Sequence, residues 1–172
     1  MKKSILAVLV LCTAILAGGC VNFRVEAGGH LPKASEIYVG ETIVTHDGKL
    51  AEPEYAAIIV SAWEAGVREY MPKHGFRVVD KPGPDTLVLK AVISDRYSIW
   101  YGLGAGILEV RVRMFGRGGT TLLPIEVVLE GAVLSKFVST NADGVEYSGT
   151  AYTVRKLLSA GYMPEKLKEL FL

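Results

Sequence analysis

The chain has 172 residues, half of them hydrophobic and 22 % charged, with 19 Gly and 7 Pro. That is the composition of one globular domain large enough to bury a core without staples, and it excludes disordered and low-complexity classes. Lys and Arg number 19 against 18 Asp and Glu, and setting Lys2 and Lys3 aside leaves 17 basic side chains, so the basic footprint that nucleic acid demands is missing.

The first twenty residues, MKKSILAVLVLCTAILAGGC, fall into three zones. Lys2 and Lys3 form a positive end, Ile5 to Leu16 run without charge, and Ala17, Gly18 and Gly19 are small, which is the plan of a signal peptide. The apolar run of about a dozen residues falls short of the roughly 20 that a bilayer span requires. The ending LAGGC resembles a bacterial lipobox, in which small residues precede a cysteine that is acylated on sulfur before cleavage. Ala17 stands where Leu is commonest in that motif, with Leu16 displaced by one. An ordinary signal peptide followed by a chance cysteine is the alternative, and an unpaired thiol in an oxidising compartment counts against it.

The lipobox resemblance implies a signal peptide over residues 1–19, cut between Gly19 and Cys20, with Cys20 carrying a diacylglycerol thioether and an N-acyl chain. Two or more chains anchor stably where one gives only marginal residence. Val21 stands where an Asp would signal inner-membrane retention, which for a Gram-negative source implies the outer membrane, facing the periplasm. The only other cysteine, Cys12, lies inside the signal segment, so the rest of the chain holds neither a disulfide framework nor a thiolate metal site.

Residues 20–35 hold the candidate lipidated Cys20 and a stretch with no sustained period, read as a tether. Residues 36–172 form the candidate periplasmic domain. EIYVGETIVT (36–45) alternates like a half-buried strand and HDGK follows as a turn. A helix opens near Pro53, with Glu52 and Glu54 where the macrodipole favours carboxylates, and Pro72 and Gly75 close it. GFRVVDK is a short strand. TLVLKAVISDRY (86–97) and ILEVRVRMF (107–115) are longer ones, the second placing Leu108, Val110, Val112 and Met114 opposite Glu109, Arg111 and Arg113. GRGG is a turn, and residues 120–137 form a further strand in which Pro124 implies an edge or a bulge. A C-terminal helix follows, interrupted around Gly161 and Pro164. The order predicts an α+β fold, a largely antiparallel sheet of about five strands with two helices packed on one face.

YGLGAG (101–106) has the glycines of a phosphate cradle, but a strand follows where that chemistry needs a helix N-terminus, and no Gly-Lys-Ser/Thr is present. It reads as a chain reversal between strands. His30, His46 and His74 lack metal-ligand spacing and read as solvated loop residues, so no metal is expected. Glu52, Glu54, Asp80, Asp85 and Asp95 are assigned to helix starts and turns, and no Gly-x-Ser-x-Gly elbow exists, so no catalytic residues and no enzymatic activity are expected. Arg96, Tyr97, Trp100 and Tyr101 crowd one strand end and loop, as residue types favoured in binding hot spots, with core filling as the alternative.

The lipobox, together with GLGAGILEVRVRMF and a closing C-terminal helix, resembles a group of small, uncharacterised Gram-negative lipoproteins, over about residues 36–172. The strand and helix order is also similar to periplasmic lipoprotein domains that bind envelope-assembly partners or activate peptidoglycan synthases. The resemblance implies a lipid-anchored, non-catalytic interaction module with an envelope protein partner and no cofactor beyond the lipid on Cys20. A lipid- or small-ligand-binding accessory lipoprotein for envelope transport is the second expectation, and an enzyme with an unrecognised site the third.

Overall fold

The computed structural model describes residues 22–26, 36–97, 106–133, 138–140, 146–161, 163 and 167. In chain order these form β1 (Asn22–Glu26), β2 (Glu36–His46), β3 (Lys49–Leu50), α1 (Pro53–Tyr70), β4 (Arg77–Val79), β5 (Leu87–Tyr97), β6 (Gly106–Gly116), β7 (Thr121–Val133), β8 (Val138–Thr140), β9 (Glu146–Ser148) and α2 (Gly149–Ser159). Seven strands make one mixed sheet, ordered β1-β7-β6-β5-β2-β3, with β4 also paired to β2, and β8 with β9 forms a separate hairpin. The α+β class and the two helices on one face agree with the sequence reading.

Period-2 patterning explains the layers. Leu108, Val110, Val112 and Met114 of β6 are fully buried, and Leu89 and Ile93 of β5 with Val127 and Leu129 of β7 lie beside them. The helices cover this inner face: Ile59, Trp63 and Val67 of α1 and Val154, Leu157 and Leu158 of α2 belong to the same buried cluster. Met163 and Leu167 complete it. The outer face carries the polar residues of the same strands.

The sheet departs from the largely antiparallel expectation at its centre, where β5 runs parallel to β2. A parallel pair needs a long crossover, and α1 supplies it between these two strands. β4 also runs parallel to β2, and the four remaining pairings of the sheet, β1 with β7, β7 with β6, β6 with β5 and β2 with β3, are antiparallel. The tether reading also changes. Asn22–Glu26, inside the segment 20–35, is a strand paired with Glu126–Glu130 of β7. Its five residues, NFRVE, are too few for alternation to stand out in sequence, and the partner that makes them a strand lies far along the chain.

Turn chemistry holds as expected. Asp47 and Gly48 both take positive φ, at 49° and 81°, the pattern of a tight hairpin between His46 and Lys49. Pro124 coincides with an irregularity, since the β6–β7 register shifts between Arg113 and Phe115. Tyr97 pairs with Gly106 at the end of the antiparallel β5–β6 pair, and residues 98–105, which hold all of YGLGAG but its last glycine, lie outside the described residues.

The helices meet through a small residue. A Cβ on Gly66 would lie 2.4 Å from a terminal carbon of the buried Leu158, which would have to shift, so glycine favours this close approach of α1 to α2. At the end of α1, Glu69 accepts from Lys73 at 3.2 Å and pairs with Arg155 of α2. The Lys73 hydrogen bond foremost, with the charges of Lys73 and Arg155 behind it, holds the Glu69 carboxyl below its ordinary value against the opposing effect of desolvation. A carboxyl lowered in the fold contributes stability above its unfolded pKa and loses it as pH falls through the folded one. This exposed contribution is small, and Glu69→Gln is expected to lower the neutral plateau of a stability-against-pH curve slightly and to flatten its acid limb. Gly66→Val is expected to overpack the helix pair and cost about 1–3 kcal/mol, read as a lower urea midpoint at unchanged slope.

Candidate functional site

The strongest polar constellation lies where β2, β5 and both helices converge. Asp95, the ninth residue of β5, faces inward with the apolar side chains and is 1 % exposed. His46, the last residue of β2, is its register partner across the parallel pair. The His46 Nδ1 lies 2.6 Å from Asp95 Oδ1, which places the proton of that ring nitrogen toward the carboxylate. The Tyr55 hydroxyl, from the first turn of α1, donates to Asp95 Oδ2. Thr150 Oγ1, from the first turn of α2, lies 3.1 Å from the same oxygen and 2.9 Å from the Tyr55 hydroxyl.

Tyr55, Thr150 and Asp95 Oδ2 form a triangle with three close edges and only two hydroxyl protons. With Tyr55 donating to the carboxylate, the Thr150 proton serves either Asp95 or the Tyr55 oxygen, so one edge at a time lacks a proton. The backbone carbonyl of Asp95 is also used, accepting from the Asp47 N–H at 2.9 Å and tying down the hairpin tip. The His46 ring meets the Tyr55 ring edge-on, with centroids 5.8 Å apart. Burial of a carboxylate is tolerable here because three side-chain donors face it and two helix N-termini converge on it. Chemically the arrangement binds four elements into one; the imidazole is 30 % exposed while the carboxylate is enclosed.

Sequence reasoning misplaced both partners. Asp95 sits within a strand rather than at a turn or helix start, and His46 ends a strand paired with an acid rather than standing in a solvated loop. The available signal was an acidic residue on the apolar phase of 86–97, since Leu87, Leu89, Ala91, Ile93 and Asp95 share one face. Among the described residues no three His, Cys, Asp or Glu side chains come together as a metal would need.

The outer face of the sheet forms the second candidate. Ile43, Val92, Arg111 and Val128 share one row across four strands, and Lys90, Arg113 and Glu126 share another. Arg111 reaches Glu109 at 2.8 Å and Glu126 at 3.0 Å, while Arg113 reaches Glu126 at 2.9 Å. Lys90 lies 4.7 Å from the centre of the Phe115 ring. Ile43 and Val92 remain more than a third exposed. Of the residues predicted to meet a partner, Arg96 is exposed on this face and Tyr97 closes β5, while Trp100 and Tyr101 lie outside the described residues, as do Gly19 and Cys20. On the helix side, an open groove of about 620 Å³ is lined by Ala57, Ser61, Ala65 and Ala151 between Glu54 and Arg155.

No protein-family model and no curated protein matches the chain. Some solved structures are distantly similar to it. A PelC dodecamer from Paraburkholderia phytofirmans is 12 % identical, with 84 % of this chain and 96 % of that one covered, at a TM-score of 0.48. A DUF4136 family protein from Bacteroides thetaiotaomicron is 13 % identical, with 85 % and 96 % covered, at a TM-score of 0.42. Identities and scores this low carry no functional assignment.

Tyr55→Phe is expected to cost about 1.5–3 kcal/mol, the range for a hydrogen bond to a charged group, and Asp95→Ala about 3 kcal/mol or more because several donors lose their acceptor. A double-mutant cycle between the two should return a coupling of about 0.5–3 kcal/mol by urea unfolding, and additive effects would deny that they act as one unit.

Proposed function

We propose that the chain is a lipid-anchored periplasmic domain of the bacterial envelope, without catalytic activity, that binds a protein partner through the outer face of its sheet. The observation carrying this reading is the asymmetry of the two faces. One is sealed by α1 and α2, and the other presents Ile43 and Val92 amid an ordered lattice of Arg111, Arg113, Glu109 and Glu126. Half-exposed apolar side chains ringed by oriented charges suit a protein surface of complementary charge, with the apolar pair as centre and the ion pairs as rim. Arg96 stands at the upper edge of the same face.

The Asp95 cluster supports a non-catalytic reading through its composition. Its hydroxyls point into the carboxylate, and Thr150 and Asp95 are enclosed, which suits a structural clasp better than attack on a substrate. Anchoring rests on the LAGGC motif at Cys20. The carrier alternative would need an apolar cavity, whereas the inner-face side chains of β5, β6 and β7 are in contact with the helices.

Two measurements test the reading. Fatty-acid labelling in cells should mark the wild-type protein and leave Cys20→Ala unmarked; equal labelling removes the anchor. A photo-crosslinking side chain at position 92 should capture one discrete protein, and the same group at Glu64, on the exposed side of α1, should capture none. Lack of a discrete product from position 92, in protein that purifies with bound lipid, would transfer the assignment to the carrier role.

A further inference from the structure

We infer that the sheet end formed by Asn22, His46–Leu50, Arg96 and Ile107 lies against the lipid bilayer, which the exposed Leu50 and Ile107 side chains contact. This rests on the proposed acylation of Cys20 and gives that anchor a direction. β1 begins at Asn22 and pairs there with Glu130, so Cys20 lies only two residues from a fixed point on the sheet. Two extended residues span at most about 7 Å. A free linker over residues 20–35 would instead reach an r.m.s. length of about 22 Å and leave the domain free to turn in any direction.

Register shows which end is concerned. Glu130 pairs with Glu109, Glu109 with Ser94 and Ser94 with Thr45, so Asn22 shares its level with the C-terminal ends of β2 and β5 and the start of β6. β1 then runs toward the opposite end, at Gly116 and Thr121, which lies about 23 Å below along β6 at 3.3 Å per strand residue. Such a difference is large beside the 7 Å reach, so the anchor selects one end.

That end has the surface a bilayer needs. Leu50 is 78 % exposed and Ile107 57 %, and both stand on the outer side of the sheet, Leu50 opposite Thr45 and Ile107 opposite Arg96. Lys49 and Arg96, beside them and exposed, supply cations for headgroup phosphates. Leu122, exposed near the far end of the sheet, is the control.

The mature chain has no cysteine besides Cys20, so a single introduced thiol can be labelled cleanly. Leu50→Cys, Ile107→Cys and Leu122→Cys, each in the full chain and carrying an environment-sensitive fluorophore, are reconstituted in phosphatidylethanolamine–phosphatidylglycerol vesicles containing spin-labelled lipid. Quenching should be several-fold greater at positions 50 and 107 than at 122. A Gly-Ser insertion about ten residues long between Val21 and Asn22 should abolish the difference while fatty-acid labelling persists. Equal quenching at all three positions, or a difference that survives the insertion, overturns the orientation and leaves the anchor standing. Loss of fatty-acid labelling in the parent protein overturns the anchor and the orientation together.

Discussion

Everything in this fold passes through the carboxylate of Asp95. It joins residue 46 of one strand, residue 55 of the crossover helix and residue 150 of the C-terminal helix at one point in the apolar layer. Apolar patterning alone leaves a parallel pair such as β2 and β5 free to slip by two residues, because such a slip keeps every side chain on its proper face. Only one register sets His46 beside Asp95. The clasp therefore contributes specificity that the aliphatic core lacks, and its desolvation cost is offset by donors from three elements.

The same point fixes the helices. Tyr55 and Thr150 each lie in the first turn of their helix, so the two N-termini are held together while Gly66 and Leu158 set their spacing further down. Gly131 of β7 serves α2 similarly, since a Cβ there would stand 3.1 Å from a Thr153 methyl. With one face of the sheet committed in this way, variation is left to the other. The outer face tolerates charge, and there Arg111 and Arg113 pair with Glu109 and Glu126.

Much of this was legible in the residues and some of it was not, for separable reasons. The β6 alternation and the α1 boundaries were plain because period and capping are local. The parallel placement of β5 depends on where α1 returns the chain, which no local pattern records. β1 escaped notice because its partner is Glu126–Glu130, and Asp95 because a single acid on an apolar phase resembles the end of a strand. The proposed acylation of Cys20 is the reverse case: it rests on five consecutive residues, LAGGC, outside the described residues, and the fold adds only the start of β1 at Asn22 two residues on.

β1 has a second consequence, for the chain before it is fully folded. β7 includes the run Val127, Val128 and Leu129, and without β1 its outer edge would offer unpaired N–H and C=O groups along an apolar strand. Such an edge is a template for self-association between molecules. The strand that covers it has Arg and Glu at two of its five positions, an edge poorly suited to recruiting another chain. The covering strand and the strand at risk come from opposite halves of the sequence, so protection arrives only when the N-terminal residues meet a strand made long after them. Five residues that read in sequence as part of a tether thus cover the edge of β7.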